Sequence, residues 1–212
     1  MDKIKAQAIV DTLSKHYDDT PQLKFNTCYE LLVAVILSAQ CTDERVNKVT
    51  AELFKEYSTP DKMVTLSVEE LGKKIYSCGL YKNKAKHILQ TSKDILDRFD
   101  GQVPNSLEDL RTLAGVGRKT ANVVYSVGFK GDAIAVDTHV FRVANRIGMA
   151  KSNNVLGTEK DLMQILDKSV WSRAHHYIIF HGRAVCKSQN PDCKNCQINH
   201  LCEKHIKNRK DK

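Results

Sequence analysis

Two side chains carry the most chemistry in this sequence. Lys119 lies in Leu113-Ala114-Gly115-Val116-Gly117-Arg118-Lys119-Thr120-Ala121, where a glycine-cornered turn delivers an amine to a helix start. Asp137 lies in Ile134-Ala135-Val136-Asp137-Thr138-His139, where a lone carboxylate opens the next helix. An amine and a carboxylate are the equipment for attacking an electrophilic carbon through an imine. An ordinary lysine is almost wholly protonated at neutral pH, so attack requires its proton to leave. The helix dipole contributes only about 0.3–1 kcal/mol towards that; neighbouring Arg118 and desolvation by bound substrate must supply the rest. From the residues alone, two plainer roles stay open: Lys119 as a phosphate contact, and Asp137 as the N-cap of the helix carrying Val140, Val143 and Ile147.

The turn itself suits an anion. Gly115, Val116 and Gly117 place successive backbone N–H groups at a helix N-terminus, where a phosphate binds without a side chain, and Gly117 allows close backbone approach. Basic residues at that end run against the helix dipole, which sets Arg118 and Lys119 apart from an ordinary interhelical connection.

Cys186, Cys193, Cys196 and Cys202 form a C-x6-C-x2-C-x5-C set. Four thiolates bind either zinc or an iron–sulfur cluster, and ligand count does not choose between them. Short, unequal loops let four side chains converge only by wrapping around something, and a bulky core suits that wrapping. Cys28, Cys41 and Cys78 are scattered among helical stretches and read as small buried hydrophobes.

The 212-residue chain has net charge +8 and a pI near 9.1, which favours a polyanionic partner. Its longest uncharged apolar run, Leu31 to Ala39, falls well short of the roughly 20 residues that cross a bilayer. Met1-Asp2-Lys3-Ile4-Lys5 lacks a signal-peptide apolar core, so an intracellular, cytoplasmic protein with no membrane association is expected. Seven cysteines in such a compartment are not a disulfide framework.

The elements that position these residues are helices. Apolar residues recur at helical spacing and no period-two strand emerges, so the predicted fold is all-α. Ile4, Ile9, Val10 and Leu13 mark a first helix, Leu31 to Ala39 a buried one, and Asn47 to Tyr57 another that ends before Pro60. Further helices are predicted to start near Asn83, Arg118, Thr138, Thr158 and Trp171. Ser67 with Glu70, and Ser106 with Asp109, form capping-box patterns. The segments that follow, Ser67-Val68-Glu69-Glu70-Leu71 and Ser106-Leu107-Glu108-Asp109-Leu110, look like a diverged repeat. The first turns at Gly79-Leu80-Tyr81-Lys82-Asn83-Lys84-Ala85, which has a bulky apolar tip in place of the second hairpin's open glycine. The charge-dense tail, Lys204 to Lys212, is expected to fray.

Leu37-Ser38-Ala39-Gln40-Cys41-Thr42-Asp43, the Gly115 hairpin with Lys119, Val136-Asp137-Thr138-His139, His181-Gly182-Arg183 and the four cysteines together resemble the endonuclease III family of DNA glycosylases. The match runs in order from Leu31 to Cys202. The resemblance implies two helical domains with a DNA cleft between them: residues 21–131 with the helix-hairpin-helix, and residues 1–20 joined to 132–212. It implies one structural 4Fe–4S cluster on Cys186, Cys193, Cys196 and Cys202. It implies a monomer acting on damaged double-stranded DNA, with Lys119 the nucleophile at the sugar C1′ and Asp137 its carboxylate partner. An oxidised pyrimidine is flipped out and displaced, and the strand is cut 3′ to the site by β-elimination, with no soluble cofactor. Gln40 is expected to fill the vacated stack and Leu80 and Tyr81 to wedge into it. Lys82, Lys84, Gly115, Val116, Gly117, Arg118, Thr120, His139 and Lys187 complete the expected DNA contacts. Two departures stand out: Ala114 where the family commonly has proline, and a loop from Lys187 to Asp192 with one lysine where the family's is basic.

A related adenine-mismatch glycosylase would lack the hairpin lysine and carry a glutamate within the early buried helix, and Leu31 to Gln40 has no carboxylate. A non-enzymatic DNA-binding module with a four-cysteine zinc site would use Lys119 as a phosphate contact.

Overall fold

Side-chain caps start most of the helices. In the computed structural model, which describes residues 1–210, Asp2, Thr27, Thr42, Ser67, Ser106, Asp137 and Asn154 each accept a backbone N–H from the first turn that follows. Each satisfies one of the donors that a helix start leaves unpaired. The capped helices are α1 (Lys3–Ser14), α2 (Cys28–Ser38), α3 (Asp43–Leu53), α5 (Val68–Lys74), α7 (Leu107–Leu110), α9 (Thr138–Ile147) and α10 (Val155–Ile165). The others are α4 (Pro60–Met63), α6 (Tyr81–Arg98), α8 (Arg118–Val123), α11 (Trp171–Ala184) and α12 (Glu203–Lys210). Among the described residues there is no strand, and no helix is long and apolar enough to cross a membrane.

The chain divides into two compact units, residues 21–131 and residues 1–20 with 132–212. In the first, α2 is buried along nearly its whole length, from Tyr29 to Leu37, and packs against α3, α6 and α8. Its core continues through Met63, Leu71, Ile75, Ile88, Ile95, Leu110 and Val124. In the second, α9 packs on α10, α11 and α12, and α1 lies on α11. Ile9 and Leu13 there meet Val143, Ile147, Trp171 and Ile178 in a separate core. Each such side chain removed from water contributes about 1.5–3 kcal/mol.

The two capped repeats differ in detail. Ser67 and Glu70 form a complete capping box, with Glu70 Oε2 accepting the Ser67 N–H at 2.8 Å. Asp109, one methylene shorter, takes the Ser106 hydroxyl at 2.8 Å. The helix after the full box has seven residues and the other four. After α8 the backbone widens into a π-helical turn at Val124–Gly128. Gly128 is pressed there against Cys28 and Leu31, whose Sγ and Cδ2 would stand 3.1 and 3.2 Å from an added Cβ.

Some boundaries move from their expected places. The third helix begins at Asp43, because Thr42 caps it, and ends at Leu53. The tail is helical over Glu203–Lys210; residues 211 and 212 of the expected fraying segment lie outside the described residues.

Candidate active site

Lys119 stands exposed in the first turn of α8, one residue after Arg118 and two after the N-cap Gly117. The hairpin before it is pinned from behind: Thr91 of α6 donates its hydroxyl to Ala114 O at 2.7 Å. Ala114, where the family commonly has proline, is therefore held by a hydrogen bond. The two hairpin glycines serve different ends. Gly115 has φ +73°, and an added Cβ would stand 2.8 Å from His87 Cβ, so the fold itself demands glycine. Gly117 has an ordinary φ of −82°, and an added Cβ would meet nothing within 4 Å. The fold does not need glycine there; its open side is available to a ligand.

Val116 corrects one expectation. Its side chain is buried in the core and its N–H donates to Leu113 O at 3.2 Å, so that donor is not available to a phosphate. Gly117, the next residue, is exposed as the N-cap of α8.

Lys84 corrects another. It is 4% exposed, and its ammonium donates to Leu37 O and to Cys78 O, both at 2.8 Å. It faces the core and cannot grip a phosphate at the surface. Burial pulls this ammonium below the ordinary lysine value. Lys82, two residues earlier, is exposed.

Gln40 and Leu80 are among the exposed residues of the same unit that sit on left-handed backbone. Gln40, just past the end of α2, has φ 54°. Leu80, the residue before α6, has φ 48° and is 56% exposed. Non-glycine residues in this region are strained and persist where surrounding structure holds them. Tyr81 stacks with Tyr76 at a 4.8 Å ring separation and lies against Gly72, buttressing the Leu80 tip.

In the other unit, Asp137 is the N-cap of α9, its Oδ1 accepting the Val140 N–H at 2.8 Å. The capping role is present, and Oδ2 has no hydrogen-bond partner among the described residues. Thr138 is exposed and His139 is half-buried, with Nδ1 3.2 Å from Arg142 Nη2.

The same helix reaches the cysteine segment. Arg142 donates to Gly182 O at 2.9 Å and to Cys186 O at 3.1 Å. Arg146, one turn on, donates to Lys187 O, to Ser188 O at 2.8 Å, and towards Cys186 Sγ at 3.8 Å. Gly182 makes room for this: a Cβ there would stand 3.2 Å from Arg142 Nη2 and 3.0 Å from Val143 Cγ2. Sequence reasoning missed both arginines, although their four-residue spacing on one helix face was the signal. Lys187 is exposed, and its backbone carbonyl is committed to Arg146.

Cys186, Cys193, Cys196 and Cys202 line one small, partly open pocket with His181, Ile147 and Asn199. No three His, Cys, Asp or Glu side chains among the described residues stand close enough to hold a single metal ion. Burial raises the Cys196 thiol to about 11, and Cys202 is raised for the same first reason. His181 is fully buried, its ring lying 3.2 Å from Tyr17 Oη and 3.6 Å from Cys196 Sγ, and burial lowers it to about 4. It is a core histidine of α11. Of the remaining cysteines, Cys78 is buried, while Cys28 and Cys41 are partly so.

The HhH-GPD superfamily of base excision DNA repair proteins matches residues 33–169. Endonuclease III of Bacillus subtilis is 50% identical over 182 residues, covering 85% of this chain and 83% of that one. Endonuclease III of Escherichia coli is 42% identical over 204 residues, covering 96% and 97%. The structure of a trapped endonuclease III–DNA covalent intermediate superposes with a TM-score of 0.92 at 45% identity, covering 99% of both chains. The chain therefore belongs to the endonuclease III family of the HhH-GPD superfamily, DNA glycosylases that also carry abasic-site lyase activity.

Proposed function

We propose that this enzyme removes oxidised pyrimidines from duplex DNA through an imine on Lys119 and cuts the strand 3′ to the abasic site by β-elimination. The observation that carries the reading is Lys119 itself, an exposed amine at a helix start behind a hairpin whose Gly117 leaves open space. A 45% identical relative trapped in covalent linkage to DNA supports a nucleophile of this kind.

In the proposed reaction, deprotonated Lys119 Nζ bonds to C1′ as the bond from C1′ to the base breaks, and the base leaves with the electron pair and takes up a proton. The sugar ring opens, O4′ is protonated, and the C1′–Nζ bond becomes an imine. Loss of a C2′ proton sends electrons towards that imine and expels the 3′ phosphate; water then hydrolyses the imine and frees the lysine. Asp137 offers Oδ2 to the positive charge that develops at C1′, or to a proton in transit, while Oδ1 holds the cap. Gln40 and Leu80, both exposed, enter the stack that the flipped base vacates, with Tyr81 behind Leu80. Double-stranded DNA is the partner, and Gly117, Arg118, Thr120, Lys82, His139 and Lys187 are its proposed further contacts.

The four cysteines fit a 4Fe–4S cluster better than zinc. They line one pocket, four thiolates are the usual ligand set for such a cluster, and the family likeness favours it over zinc. A four-cysteine site leaves no open position for catalysis; the cluster supplies structure, organising the segment that Arg142 and Arg146 fasten to α9. A reducing intracellular compartment suits it.

Borohydride trapping on a duplex containing one oxidised thymine tests the reading. The expected result is a covalent adduct on Lys119; an adduct on another lysine or on the N-terminal amine overturns the mechanism.

A further inference from the structure

We propose that Lys84 is a positioning residue, whose buried ammonium fixes the backbone before Gln40 to the backbone before Leu80 so that the two side chains enter a duplex as one rigid pair. The inference rests on the function proposed above.

An ammonium is expensive to bury, and a methionine of similar reach would fill the same space without that cost. What Lys84 supplies instead is a pair of short hydrogen bonds, one to each of two segments that lie far apart in the sequence. One acceptor, Leu37 O, belongs to the last turn of α2, three residues before Gln40. That carbonyl has no partner within its own helix, and the helix C-terminus favours a cation. The other acceptor, Cys78 O, closes a 3₁₀ turn two residues before Leu80. The backbone N–H of Lys84 donates to Leu80 O at 3.1 Å, so the same residue grips the tip on both sides.

Both tips need such support. Gln40 and Leu80 are two of the five non-glycine residues with positive φ among the described residues. Each is exposed, so its own side chain has little packing to hold it. Without the ammonium, its bonds to the backbone leading into each would be lost. Insertion into a stack needs a defined geometry, and small misplacements cost large factors in rate.

The experiment uses the full chain with its metal centre loaded and compares wild type with Lys84→Met on three duplexes: an oxidised thymine opposite adenine, the same lesion in a mismatched pair, and a pre-formed abasic site. Base excision of the paired lesion should fall about tenfold or more in single-turnover rate, with little change in KM. The loss should shrink on the mismatched lesion, which costs less to open, and cleavage at the abasic site should change by less than about twofold. In a double-mutant cycle, Leu80→Ala should cost less in the Lys84→Met background than in wild type. Lys84→Gln, which keeps an N–H donor group on a shorter, uncharged side chain, should fall between.

Equal losses on all three duplexes, additive effects with Leu80→Ala, or wild-type excision by Lys84→Met would each overturn the inference. So would failure of both variants to remain soluble, which would make Lys84 a residue of the fold alone. Failure of wild type itself to excise the lesion would overturn the proposed function instead.

Discussion

Gly115 lies so close to His87 that a Cβ on residue 115 would stand 2.8 Å from the His87 Cβ and 2.9 Å from its Nδ1. The neighbouring Gly117 meets nothing. The two glycines of one hairpin should therefore separate cleanly under mutation. Gly115→Ala, strained at φ +73° and crowded, should lose about 1–3 kcal/mol of stability in thermal unfolding. Gly117→Ala should leave stability unchanged or raise it by less than about 1 kcal/mol, while weakening duplex binding. Duplex affinity equal to wild type in Gly117→Ala would mean that DNA does not approach the hairpin's open side.

Lys119→Gln should abolish both borohydride trapping and strand cleavage. Because it removes one exposed cation among many, it should reduce the slope of log affinity against log salt by only about one unit. Full cleavage activity in this variant would remove the lysine from the mechanism.

Asp137 offers a way to separate capping from chemistry. Asn retains an acceptor for the Val140 N–H, so Asp137→Asn should keep the thermal stability of wild type and lose base excision. Asp137→Ala removes the cap as well and should lower stability by about 0.5–2 kcal/mol. Near-normal excision in Asp137→Asn would leave the cap as the carboxylate's only role.

Protein purified without oxygen should be yellow-brown and carry about four irons per chain, as expected of a cluster on four thiolates. Stoichiometric zinc with no iron would sink that assignment. Cys196→Ser should reduce soluble yield more than it changes the chemistry of the fraction that folds.

The helix starts were legible because caps are local: Ser67 with Glu70, Thr138 after Asp137, and Arg118 after Gly117 each announce themselves within four residues. The helix-start positions of Lys119 and Asp137 were legible for the same reason. Lys84 was misread because a lysine beside a hairpin reads as a surface cation. Its place on the stripe with Ile88, Thr91 and Ile95, which turns inward, was a signal that charge obscured. Val116 was misread because the turn's own hydrogen bond, to Leu113, has no mark in composition. The π-helical turn at Val124–Gly128 and the left-handed backbone at Gln40 and Leu80 depend on packing against distant segments, which no short window of sequence contains.

The pairing of α1 with α11 has a consequence for how the chain emerges from the ribosome. Ile9 and Leu13 belong to a core whose other members, such as Trp171 and Ile178, are made more than 150 residues later. At usual synthesis rates that wait is on the order of ten seconds or more. Residues 21–131 are contiguous and complete their own core meanwhile, so they can fold while α1 still exposes an apolar face. The segment from Cys186 to Cys202 arrives later still. The proposed cluster would therefore load onto a chain whose helix-hairpin-helix half is already made, and a shortage of iron should leave chains folded in the middle and open at both ends.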